Sequence, residues 1–158
     1  MWQLPVQKLS EILMIPLQGQ SIKSCLSNFL SGESIKHHCK TCQTQDAVKT
    51  IEMITEPSTL ILQLKRYTYD VEGQKIIKRQ DEMECPKSLT MPSGSSFTLL
   101  SIVNHIGPSP AEGHYNVLLH DHRNDCYVLL DDLKISHAMN FNSDTRKLCY
   151  IIIYTKDT

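Results

Sequence analysis

Two groups of residues in this chain have the types and spacing to do chemistry. The first is Gly113-His114-Tyr115, followed by two apolar runs at 115–119 and 127–130. The polar stretch 120–125 between them predicts a hairpin. In-register pairing closed by that stretch places His114 opposite Asp131, with Cβ atoms about 5 Å apart. An imidazole held by a carboxylate is the base-and-orienter half of a nucleophilic triad. The acid fixes the tautomer and stabilises the imidazolium, so the other ring nitrogen is free to deprotonate a nucleophile. A surface His–Asp pair of no catalytic use has the same spacing. The second group is Cys39-Lys40-Thr41-Cys42, the spacing of two zinc ligands on one knuckle. A closed zinc site needs four ligands, and the sequence holds no second Cys-x-x-Cys. His37 or His38 could add one ligand, and Cys25 lies on an apolar helix stripe.

Elements that would position these groups follow from periodicity. Residues 9–17 read as a strand ending near Pro16. Ser21 reads as a helix N-cap, because Ile22, Cys25, Leu26, Phe29 and Leu30 then fall on one helical face. Gly32 is a plausible end to that helix. Residues 47–54 alternate until Pro57. Residues 59–67 form the strongest strand, and their nearly continuous apolar run predicts a central strand buried on both faces. Residues 70–73 make a turn, 75–83 are weakly strand-like, and 86–96 read as a loop rich in Ser and Pro. Residues 97–103 and 148–154 are further strands, with a Gly/Pro loop at 106–113. One early helix and many hairpin-spaced strands give an α+β chain with a mainly antiparallel sheet.

Composition narrows the function classes. The 158 residues carry 16 basic and 17 acidic side chains, a net charge of −1. That balance gives no electrostatic reason to expect nucleic acid or an anionic membrane as partner. No apolar run approaches the roughly 20 residues of a membrane helix. The six cysteines are irregularly spaced, and the first 17 residues are not a signal peptide. Reduced thiols, and so a cytoplasmic or nuclear protein, are expected.

With these blocks in order, the chain resembles the C-terminal half of a ubiquitin-specific protease catalytic domain. Ser21-Ile22 with Cys25-Leu26 and Phe29 resembles that family's short helix before the fingers, and Cys39-x-x-Cys42 its second zinc knuckle. Leu60 to Tyr67 resembles its Leu-Lys-Arg-Phe strand, with Tyr for Phe. His105-Ile106-Gly107 resembles its His-x-Gly, Gly113-His114-Tyr115 its histidine box, and Leu130-Asp131-Asp132 its acid box. The match runs from about residue 9 to 154.

The resemblance implies a partial, papain-like cysteine protease fold with fingers and palm. It implies hydrolysis after the C-terminal glycine of ubiquitin, with ubiquitin and ubiquitinated proteins as partners. His114 would be the base, Asp131 its orienter and Asp132 a neighbouring polar support. Gly113, Tyr115, His105 and the 106–112 loop would lie near the ubiquitin tail. Cys39 and Cys42 would give two ligands of a structural zinc whose site this chain leaves incomplete. The nucleophilic Cys, the oxyanion-hole Asn and the first knuckle would belong to sequence before Met1, and none of the six cysteines has a Cys-box context. A full-length form would be an active deubiquitinase and this chain alone inactive. Two other readings stay open: an inactive ubiquitin-binding remnant, and a zinc-ribbon interaction module.

Overall fold

The computed structural model describes residues 11–38, 43 and 45–158. The chain opens with β1 (Leu13–Pro16) and α1 (Ile22–Leu30). Ser21 caps the helix as expected. Its hydroxyl accepts from Ser24 N at 3.1 Å, and the Ser24 hydroxyl accepts from Ser21 N at 3.2 Å, a reciprocal capping box. The helix ends at Leu30 and is capped by Ser31 rather than Gly32, the Ser31 N–H donating to Ser27 O. Ile22, Cys25 and Leu26 are buried, and Phe29 and Leu30 pack half-buried against the same core.

A ribbon of β2 (Glu33–Lys36) and β3 (Asp46–Lys49) follows, tied at its end by His37 N donating to Gln45 O. The Cys39–Cys42 pair falls outside the described residues. Next come β4 (Thr59–Lys65), the ribbon β5 (Tyr67–Asp70) with β6 (Lys75–Lys78), and β7 (Ser88–Thr90). The long β8 (Ser96–Ile106) then leads into β9 (His114–Asp121), β10 (Cys126–Asp131) and β11 (Lys134–Met139). A short α2 (Ser143–Leu148) and β12 (Cys149–Lys156) close the chain.

One eight-stranded sheet carries the body, ordered β1-β4-β12-β8-β9-β10-β11, with β7 on the side of β8. Only the β1–β4 pair is parallel. Strand β4 lies inside the sheet, as expected, but its two faces differ. Leu60, Leu62 and Leu64 are buried, while Ile61 and Gln63 are half-buried. The expected 59–67 strand also stops at Lys65, where Arg66 turns the chain so that Tyr67 starts a separate ribbon.

Strand β2, at Glu33–Lys36, is among the elements that the sequence reading does not place, and β7, β11 and α2 are others. The 86–96 loop holds the short β7. β11 is an edge strand with Ile135 exposed, so its apolar signal is thin. A second helix, α2, joins the one early helix; it has six residues and buries none of them. Its start is a polar cap, Asn142 accepting from Thr145 N at 3.1 Å.

Candidate active site

The site forms where β8, β9, β10 and β11 turn at one end of the sheet. Ile106 of β8 pairs with His114 of β9, so residues 107–113 form the loop joining them. At its neck the Gly107 Cα faces Glu112 O and Gly113 Cα. A Cβ on Gly107 would sit 2.6 Å and 2.8 Å from those atoms. Backbone therefore packs on backbone here, which only glycine allows.

The β9–β10 register differs from the expectation by two residues. Asp121 pairs with Cys126 and Leu130 with Val117, which brings Asp131 level with Asn116 rather than with His114. The cause is the turn. Asp121 accepts from Arg123 N at 2.9 Å and from Asn124 Nδ2 at 2.7 Å, so the loop tightens to residues 122–125 and β9 gains two positions. Side chains alternate with period two, so a two-residue slip leaves every residue on its original face. His114 and Asp131 become diagonal neighbours and still meet, with Nε2 to Oδ1 at 2.5 Å.

That contact lies at the mouth of the site and is an ion pair when His114 is protonated. The side chains are 44% and 35% exposed. The Asp131 hydrogen bond raises the His114 pKa; burial opposes it, and the charges of Asp131 and Asp132 add to the rise. The same bond holds the Asp131 carboxyl below its ordinary range, helped by Asn116 and Lys134. Nδ1 of His114 makes no hydrogen bond among the described residues, so one ring face is committed and the other is free. Asp132 occupies the tight turn to β11 at φ +50°, a conformation Asp tolerates better than most residues.

A second layer holds the acid. Asn104 of β8 and Asn116 of β9 are paired, and both are buried. Asn104 Nδ2 donates to Asn116 Oδ1 at 2.9 Å. The Asn116 amide in turn helps to lower the Asp131 pKa, so Asn104 and Asn116 stand behind the Asp131–His114 contact. Sequence reading missed both asparagines. The available signal was a polar residue at 116 on a face otherwise occupied by Leu118 and His114.

His105 lies beneath the loop, not at its surface. Only 1% of it is exposed, so it shapes the site rather than presenting itself to a ligand. Tyr67 Oη donates to its Nδ1 at 2.7 Å, and Lys78 Nζ approaches the same nitrogen at 3.1 Å. An ammonium only donates, so Nδ1 is the bare nitrogen. Burial, then Lys78, push the His105 pKa down, which keeps the ring neutral. Lys78 also donates to His105 O at 2.6 Å and Gly107 O at 3.0 Å, fixing the neck of the loop. Tyr115, half exposed, packs on His105 at a ring separation of 4.8 Å.

His114, Asp131 and Asp132 bring three ligand atoms within 4.8 Å of one another. A metal between His114 and Asp131 would need its two ligand atoms about 3 Å apart or more. Their 2.5 Å contact is a direct hydrogen bond instead.

A family model described as ubiquitin carboxyl-terminal hydrolase matches residues 11–154. The chain belongs to that family. Among curated members of the ubiquitin carboxyl-terminal hydrolases, number 35 of Homo sapiens is 32% identical over 106 residues, or 61% of this chain and 10% of its own length. Number 4 of Arabidopsis thaliana is 30% identical over 126 residues, 73% of this chain and 34% of its own. This chain thus spans about a third or less of those relatives. A solved structure of the yeast SAGA DUB module matches with TM-score 0.76 at 26% identity, over 92% of this chain and 35% of that one. A SAGA DUB module bound to monoubiquitin matches with TM-score 0.75 at 26% identity, over the same shares. The partial fold and mainly antiparallel sheet read from the sequence are those of ubiquitin-specific-protease domains.

The described residues of this hydrolase-family chain do not complete a zinc site. Its Cys39 and Cys42 lie outside the described residues. Cys25, Cys85 and Cys149 are buried in the body, and Cys126 begins β10. Two thiolates are half of a closed set.

Gly113 admits a direct test. A Cβ there would land on the His105 imidazole, with Ile106 O 2.8 Å away. Neither neighbour can yield, since the ring is pinned by Tyr67 and the carbonyl belongs to β8. Gly113→Ala is expected to cost about 1–3 kcal/mol. A thermal midpoint unchanged from wild type would refute the close packing.

Proposed function

We propose that this chain is the base-and-orienter half of a cysteine-type deubiquitinase. The observation that carries the reading is the His114 Nε2–Asp131 Oδ1 contact with Nδ1 left free. Family membership and a monoubiquitin-bound structural relative support ubiquitin as the partner. Ubiquitinated proteins are then the substrates of a form that also holds a nucleophile. In that reaction a thiolate attacks the carbonyl of the last ubiquitin glycine. His114 takes the thiol proton and returns it to the leaving amine, while Asp131 holds the tautomer and stabilises the imidazolium. Tyr115, Gly113 and the 107–113 loop line the approach of the ubiquitin tail, and His105 with Lys78 positions that loop. Asp132 supports the pair through its charge. A zinc, if held by Cys39 and Cys42 with two further ligands, would have a structural part only.

The nucleophile is not among the described cysteines. Cys25, Cys85 and Cys149 are buried, and Cys126 lies at the far end of β10, about 16 Å from Asp131 along the strand. This observation also favours a second reading, a chain that binds ubiquitin without cleaving it. Ubiquitin with a thiol-reactive C-terminus tests both. The expected result is binding without an adduct. An adduct that requires His114 would place the nucleophile in this chain and overturn the half-site. Absence of both binding and adduct would overturn both readings.

A further inference from the structure

Arg146 of α2 is a half-buried cation held in place without a counter-charge. Its backbone is pinned on both sides. Its N–H donates to Asn142 O at 3.0 Å, and its carbonyl accepts from Met83 N at 3.2 Å and Arg66 Nη2 at 3.0 Å. Its side chain makes no hydrogen bond and no ion pair among the described residues. Glu82 is committed elsewhere, accepting from Ser143 Oγ at 2.6 Å and pairing with Lys147. Nε of Arg146 is buried without a partner, which leaves the two Nη groups as the donors open to solvent. The guanidinium lies over the Phe141 ring, 5.7 Å from its centroid. Phe141 packs on Tyr127 at 5.9 Å, and Tyr127 on His120 at 5.2 Å, so the ring beneath the cation is itself supported.

Arg146, Phe141 and Tyr127 line a surface cavity of about 360 Å³, with Met139 beside them. That volume falls within the range of small-molecule pockets, about 300–1,000 Å³. Three other charged residues line it: Glu84, Lys87 and Asp125. Lys87 and Asp125 are paired with each other, so their charges cancel, and Asp125 also meets His120 Nε2 at 3.3 Å. Glu84 is exposed, so water screens its repulsion of an anion. The unmatched charge held in the wall is therefore that of Arg146. A guanidinium offers two N–H groups in a fork that suits the two oxygens of a carboxylate. Beside the fork the wall is aromatic and thioether.

We propose that this cavity binds an organic carboxylate carried on an apolar body. The carboxylate sits on the Arg146 Nη groups, and the body packs against Phe141, Tyr127 and Met139. A small free carboxylic acid and the C-terminal residue of a peptide share this chemistry. An inorganic anion does not, since it makes no use of the apolar wall. The inference stands apart from the deubiquitinase reading. Cys126, which also lines the cavity, begins β10 at the end away from Asp131, and no lining residue belongs to the site at His114.

The test is an NMR titration of the whole chain with phenylacetate, and with neutral phenylacetamide as the control. Phenylacetate is expected to shift the backbone N–H signals of Tyr127, Phe141 and Arg146 until they saturate. Phenylacetamide should bind about tenfold or more weakly, because it lacks the charge-assisted hydrogen bonds to the fork. Arg146→Gln should weaken phenylacetate by a similar factor and leave the unfolding transition in place, since the side chain bonds no other group of the protein. Equal affinity for the acid and its amide would overturn the proposal. So would saturable shifts centred on His114, or no saturable shift at all. The blocked dipeptide N-acetyl-glycyl-phenylalanine separates the two sources. Tighter binding than phenylacetate assigns the cavity to a peptide C-terminus, and weaker binding assigns it to a small acid. The comparison of acid with amide on the wild-type chain decides even if the variant fails to fold.

Discussion

Asparagine at position 131 is expected to cut turnover about 10,000-fold in any form of the protein that cleaves ubiquitin conjugates. The reason lies in the line of amides behind the acid. Asn104 holds the Asn116 carbonyl, and the Asn116 amide helps to lower the pKa of the acid at 131. In Asp131→Asn that donor captures the new side-chain oxygen, and the new NH2 group faces His114 Nε2. The imidazole must then accept at Nε2 and carry its proton on Nδ1, the nitrogen the base needs bare. Size and packing are unchanged, so the loss is one of tautomer. The isolated chain gives a second readout. The His114 pKa, raised mainly by the Asp131 hydrogen bond, should fall toward the ordinary imidazole value in an NMR titration. Asp132→Asn should move it the same way by less, since Asp132 acts through charge alone.

The pH dependence of this pair has a definite sign. A raised His114 pKa stabilises the fold below the ordinary imidazole pKa, and that contribution is lost as pH rises through the raised value. A lowered Asp131 pKa stabilises above the ordinary carboxylate value, and that is lost as pH falls through the lowered one. The attraction is therefore greatest between the two, and screening by water keeps it small because both groups are half exposed. His114 titrating identically in wild type and Asp131→Asn would show that the contact does not form in solution.

The site was legible because strand periodicity tolerates the error that sequence reading makes most easily. Hairpin register depends on the turn, and the turn at 122–125 is set by side-chain hydrogen bonds of Asp121 that apolar patterning does not reveal. A slip of one residue would have sent Asp131 to the opposite face. The slip of two preserved the pair and changed its partner, bringing Asn116 beside the acid. Helix α1 was legible for a similar reason, since a capping serine and an apolar stripe are local signals. The burial of His105 was not. It depends on Gly113 lying over the ring and on Lys78 reaching from another ribbon, contacts between segments far apart in sequence. Strand β11 and helix α2 escaped because one is an exposed edge and the other buries nothing.

Arg66 shows the same limit at the centre of the fold, and its replacement has the largest expected effect on stability. From sequence it ends a strong strand, where a cation normally reaches solvent. In the structure it is fully buried and joins the end of β4 to residues 79–81 and to residues 146–149 through four carbonyls. Arg66→Met fills a similar volume and recovers the cost of burying a charge, which can make such swaps neutral when the partner is removed too. Here the partners, four backbone carbonyls and the Cys149 sulfur, remain. Four carbonyls, one in a buried and three in part-buried contacts, lose this donor; Arg146 O keeps Met83 N, so about three lose a partner at up to roughly 1–3 kcal/mol each. That sum rivals the entire stability of a small domain, about 5–15 kcal/mol. Arg66→Met is therefore expected to leave no cooperative unfolding transition by circular dichroism. Arg66→Lys keeps the charge but offers three donors from one point instead of five from a planar fork, so at least one carbonyl stays unmet. A urea midpoint shifted down by about 1–3 kcal/mol is expected for it. Wild-type stability in Arg66→Met would mean that these carbonyls find water or other donors, and that the guanidinium is not what joins the strands to α2.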